Sequence, residues 1–181
     1  MANLAIPTLT APSVSNYDTA AWWNANVYQL LTYGLNPPIF VGTQTIAQSV
    51  ATSTWSAITL DTEQQDTYGG HSTTTNSSRY TAQVAGWYTV CGVVTWTQNS
   101  TGRRGARLHV NGSSVAGSAQ LFAPASGTTF TGVMTAVRAV QLGVGDYVEV
   151  AGTQSSGSAL STGVAAGGDL ASALYVAWAH T

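Results

Sequence analysis

The chain has 181 residues, the size of one domain with a short appendage, and a domain that long buries roughly 70% of its unfolded surface in a single core. Charged residues make up 7% of it against about 25% in an average soluble protein, with five Arg, no Lys and a formal net charge of −2. That balance excludes the broad basic face that grips nucleic acid. The scarcity of charge means either that much of the surface meets other chains or that codon bias shaped the composition.

Residues 1–15 hold Ala, Pro, Thr and Ser with isolated Leu4, Ile6, Leu9 and Val14, and read as an extended arm. The stretch from Met1 to Thr10 lacks the basic start and apolar block of a signal peptide, and no apolar run reaches the ~18 residues of a membrane span. A cytoplasmically made protein with no membrane partner is expected. From Asp18, the spacing of Trp23, Val27, Leu30 and Leu31 predicts a helix with these residues on one face, leaving Trp22 and Tyr28 on others. Gly34 and the Pro37-Pro38 pair end it. Residues 1–40 thus form one unit, an arm whose apolar stripe needs a surface to lie on.

Residues 41–181 change texture to short β-branched and aromatic stretches separated by Gly, Ser and Asn, the pattern of an all-β sandwich of eight to ten strands. Tyr88, Val90, Val94 and Trp96 alternate along one predicted strand, with Gly92 in the same phase. Leu108 and Val110 precede Asn111-Gly112, a pair suited to a type I′ hairpin turn because both central positions need positive φ. Further strands are predicted through Val133 to Leu142, Tyr147 to Val150 and Leu174 to Trp178, with loops at residues 62–78, 123–128 and 155–168.

Chemistry-bearing motifs are scarce. The chain contains no G-x-S-x-G, P-loop, HExxH or dinucleotide fingerprint, and His71, His109 and His180 fall in different predicted elements. Neither a catalytic residue nor a cofactor is expected. Cys91 sits in an apolar run and reads as a small buried hydrophobe. Asp61, Glu63 and Asp66 beside Gly69-Gly70 form either a solvated loop or a calcium site of unusual spacing. Arg103, Arg104 and Arg107 form either the wet end of a hairpin or a contact for a carboxylate or an anionic glycan.

The stretch Tyr80-Thr-Ala-Gln-Val-Ala-Gly86-Trp-Tyr88-Thr-Val90 resembles the signature of the tumour-necrosis-factor-like superfamily, in particular the globular heads of the first complement component. The segment from Val140 to Val150, with Gly145-Asp146 before an apolar strand, resembles that family's later motif, and Leu170 to Trp178 sits where its closing strand does. Val90 replaces the usual Phe, and Gly92 stands where an aromatic is expected. The resemblance implies a jelly roll and a compact homotrimer. Residues from Ala20 to Phe40 are similar to a leader on virion proteins of tailed actinobacterial phages, in which a short helix and a Pro-Pro stop precede a β-domain.

Together these readings predict a non-enzymatic virion protein, a trimeric capsid decoration protein held on the major capsid protein through Trp22, Trp23, Val27, Leu30 and Leu31. The alternative is a tail-tip or fibre head that binds a host-surface glycan through exposed aromatics such as Trp55 or Tyr68 and the arginine turn.

Overall fold

The computed structural model describes residues 20–28, 31, 34–124, 127 and 129–180. A short helix α1 (Ala20–Trp23) runs into a π-helical turn (Asn24–Tyr28). Fourteen strands follow among the described residues. The first seven are β1 (Ile39–Thr43), β2 (Ser49–Val50), β3 (Ser56–Ala57), β4 (Thr62–Asp66), β5 (Tyr80–Thr81), β6 (Gly86–Thr97) and β7 (Arg104–Val110). The remainder are β8 (Ser113–Ser114), β9 (Gln120–Phe122), β10 (Phe130–Met134), β11 (Arg138–Leu142), β12 (Tyr147–Gln154), β13 (Leu160–Ser161) and β14 (Ala173–His180).

The longest alternating stretch of the sequence becomes the centre of the first sheet. β6 buries Tyr88, Val90, Val94 and Trp96 completely on one side, as period-two geometry requires. Its neighbours run in the order β6-β14-β1-β4, all antiparallel, while its other edge takes β10 and β11 end to end. Those two are one strand interrupted opposite Gly92, whose N–H donates to the Thr135 hydroxyl at 3.0 Å while its carbonyl accepts from the Thr135 N–H at 2.8 Å. The second sheet is built on β12, flanked by β7 on one side and by β3 and β5 on the other, with β8 and β9 continuing from β7. Between the sheets, Val94, Trp96, Leu108, Val133, Val148, Val150, Leu174 and Val176 join one continuous core. A Cβ at Gly92 would stand 2.8 Å from Val150 of the facing sheet, so the aromatic expected at that position cannot fit.

This is the predicted all-β jelly-roll sandwich, with differences at its edges. Nine strands exceed two residues, within the eight to ten expected, and five two-residue pairings add to them. β4 falls where a loop was expected because its residues Thr-Glu-Gln-Gln-Asp lie on a sheet edge and are mostly exposed, so they carry no apolar alternation. β13 lies in another expected loop for the same reason of brevity. The sheet begins at Ile39, ahead of the expected boundary at residue 41, and Phe40 is fully buried.

Strand directions define two ends of the sandwich. β1 starts, β14 finishes and β12 starts at the same end, where the N-terminal segment enters. The opposite end carries the turns at residues 98–103 and 155–159.

Candidate functional site

The motif residues form a structural clip at the entry end. Gly86 opens β6 at φ +150°, and a Cβ there would fall 2.6 Å from the His180 carbonyl oxygen and against the Trp178 indole nitrogen. The Tyr88 hydroxyl donates to the Val84 carbonyl at 2.6 Å, and its pKa is pushed up to about 12 by burial. Tyr80 stacks on Phe40 at 5.2 Å and approaches Tyr88 at 6.3 Å. Gly145 takes φ +92° in the turn before β12. Asp146 closes that turn by accepting from the Asn111 amide at 2.8 Å and the Gly143 N–H at 2.7 Å, and these bonds hold its carboxyl below the usual range. Asn111 and Gly112 both have positive φ, as the hairpin reading required. All five motif residues therefore tie strands and turns together.

The two outer faces of the sandwich differ in chemistry. On the first sheet, the ladders align Ile39, Ala177, Thr89 and Ala139 in one row, Val41, Tyr175 and Cys91 in the next, and Thr43, Ala173, Val93 and Met134 in a third. No residue in these rows is charged, and Tyr175 stands exposed near the centre. Cys91 is therefore half-buried on this outer face rather than in the core, because it shares the phase of Val93 and not that of Val90; burial pushes its thiol pKa up. Leu121, Phe122, Met134 and Val137 add an exposed apolar edge where β9 lies beside β10.

The second sheet carries a polar chain instead. The Arg107 guanidinium lies 4.2 Å over the Trp55 ring, and its Nε donates to His109 Nε2 at 2.7 Å. Glu149 faces His109 across the ladder and accepts from the Ser78 hydroxyl at 2.7 Å and Arg79 Nε at 3.2 Å. Burial, then the Arg107 charge, lower the His109 pKa, with Glu149 opposing them.

The structure separates the arginines that the sequence groups. Arg103 is exposed at the far end, whereas Arg104 is fully buried, its guanidinium donating to the carbonyls of Thr101, Arg103 and Asn99. Arg104 is thus no surface contact: its fork shapes the turn before β7, and burial lowers its pKa. Arg107 points from the outer face of the second sheet, so the three do not form one anion contact. Nor do the aromatics proposed for glycan recognition converge, since Trp55 is covered by Arg107 and the Tyr68 hydroxyl bonds to the Asn36 carbonyl at the entry end.

The three acids also have separate tasks. Burial would raise the Asp61 pKa, but bonds from Thr45, Ile46 and Thr62 outweigh it and lower the value. Glu63 meets His71 Nδ1 at 2.8 Å, while Asp66 accepts from the backbone N–H groups of His71 and Tyr68. Among the described residues no group of three or more His, Cys, Asp and Glu is placed to hold a metal ion. Sequence reasoning missed His71, whose ring is buried against Phe40 at 4.8 Å and whose Nε2 meets the Ser77 carbonyl at 3.0 Å. It missed Gln154 as well, which bridges Val50, Ser156 and Ser158.

In the arm, Trp23 and Leu31 are more than half exposed and Val27 is half-buried. Leu30 and the side chain of Trp22 lie outside the described residues. Among the described residues no helix is long and apolar enough to cross a membrane.

No sequence-family model and no curated protein sequence matches the chain. Solved structures do. The globular domain of zebrafish complement 1qA superposes with a TM-score of 0.55 at 13% identity, over 80% of this chain and 99% of that one. Murine APRIL gives 0.57 at 11% over 78% and 98%, and the Eiger TNF of S. frugiperda gives 0.54 at 12% over 80% and 92%. At these identities the likeness is one of fold: the sandwich is a jelly roll of the tumour-necrosis-factor and complement-head kind.

Proposed function

We propose that this chain is a non-enzymatic structural head that assembles as a homotrimer, and that the segment ahead of β1 anchors it to a larger particle as a capsid decoration protein of a virion. The uncharged outer face of the first sheet carries the first part of this reading. Three rows of Ile, Val, Ala, Thr, Met and Tyr side chains are a contiguous patch of the kind that soluble proteins cover with a partner. The exposed edge at Leu121, Phe122 and Val137 is a second patch, which adjoins the first at Met134. Packing one protomer's edge on the next protomer's face is a heterologous contact, and such contacts close into a ring when the rotation allows. The second sheet carries a polar network instead, in which His109 and Glu149 are buried among Arg107, Ser78 and Arg79 of the same protomer.

The anchoring role is supported by exposed Trp23, Leu31 and Leu35 on the segment that enters at one end of the head. Cys91 supplies the test of the face, since it is the chain's single thiol and lies in the middle row. In the assembled protein it reacts slowly with a maleimide, and in a Tyr175→Asp variant it reacts at the rate of an open strand face. Equal rates in the two proteins overturn the assignment of the interface. The particle assignment is tested by counting copies on purified virions: a number comparable to the shell subunit supports it, and absence from the particles refutes it.

A further inference from the structure

An open cleft of about 420 Å³ lies between the loop after β4 and the turn before β12, a volume within the usual range of about 300–1,000 Å³ for small-ligand sites. Backbone shapes its walls: a Cβ at Gly70 would stand 2.5 Å from the Thr81 carbonyl oxygen, and Gly69 and Gly145 both take positive φ. His71, pinned between Glu63 and the Ser77 carbonyl, holds the loop in place. The lining is hydroxyl and amide: Ser72, Thr75 and Thr81, with Asn76 and Gln83.

Arg79 also lines the cleft. Its guanidinium lies 4.1 Å over the Tyr147 ring, and its Nε donates to Glu149, which leaves the terminal nitrogens of the fork without protein acceptors among the described residues. Glu149 balances its charge, so the cleft offers donors and acceptors around one paired cation. A divalent cation would need carboxylates, and none lines it. A phosphate group would favour a second cation, and a purely apolar ligand would leave the hydroxyl and amide groups of the lining unmatched, whereas a sugar ring presents both hydroxyls and C–H faces. The chemistry that remains is that of many neutral hydroxyls.

The geometry points to this cleft as a binding site for a short neutral saccharide of one or two sugar rings, held by the Arg79 fork and the amides of Asn76 and Gln83. The site is independent of the trimer reading and lies at the entry end, away from Trp55 and Arg103. Saturation-transfer NMR on the full chain tests it, with N,N′-diacetylchitobiose and maltose as neutral probes and sialyllactose and inorganic phosphate as charged ones. A neutral probe binds in the millimolar range, and Thr81→Val combined with Gln83→Leu weakens it about tenfold or more at unchanged melting temperature. The assignment is overturned if no neutral sugar transfers saturation, if a charged probe binds more tightly, or if the double variant binds as the parent does.

Discussion

A side chain at Gly86 has nowhere to go. The backbone there is at φ +150°, and the closing strand presses the His180 carbonyl and the Trp178 indole against the space a Cβ would take. Gly86→Val is expected to lower the unfolding free energy by about 3–5 kcal/mol in urea titrations. The matched control is Gly132→Val, where the nearest atom would stand 3.8 Å away and the change should stay below about 1 kcal/mol. Similar losses in the two variants would contradict the clip. Gly117 would be no neutral control, because it sits at φ +69° with the Arg138 guanidinium against it. The Asn111-Gly112 turn was legible because two adjacent residues that tolerate positive φ leave few alternatives. The burial of Arg104 was not, since three carbonyls brought together by a turn leave no trace in residue types. His109 supplies a pH test: its folded pKa lies below the unfolded value of about 6.5. Its contribution is therefore complete above about pH 6.5 and lost as pH falls through the depressed folded value. Denaturation midpoints of the native chain should drop more on acidification from pH 7 to about pH 5 than those of His109→Gln; parallel curves would show that another group dominates.

The arm and the first strand are divided by backbone bonds rather than by composition. The Asn36 carbonyl accepts from the Tyr68 hydroxyl, the Pro37 carbonyl from Thr67, and the Pro38 carbonyl from the Trp178 N–H. Deleting residues 1–35 should therefore leave a folded head whose melting temperature falls by no more than about 2 °C, and the proposed anchoring role requires that this head no longer bind stripped capsids. Cutting at residue 40 removes Phe40 from the core as well and should lower it by many degrees. A head lacking residues 1–35 that still decorates such capsids fully would move attachment to the β-domain. Strands with strict alternation, such as β6, were readable from the chain. β4 and the five two-residue strands were not, because an exposed edge or a two-residue pairing needs no apolar period.

At the scale of the molecule, the scarcity of charge has two structural counterparts. Inside, neutral amides do the bridging: Gln48 bonds to Thr59 and Ala57, and Gln154 holds the turn after β12. Outside, the three central rows of the first sheet carry no charge, and the few ionic groups fall on its edge strands β4 and β11, on the second sheet and at the ends. The sandwich was legible because two motif strings and the spacing of the strands agree; the division of the surface was not, since it depends on which strand lies beside which. The central claim is that the uncharged face is covered by copies of the same chain, and sedimentation equilibrium of the purified protein at micromolar concentration tests it most directly. The account predicts a mass three times that of the 18.7 kDa chain, falling to that of one chain in Tyr175→Asp. A native protein that sediments as a folded monomer across that range would contradict it.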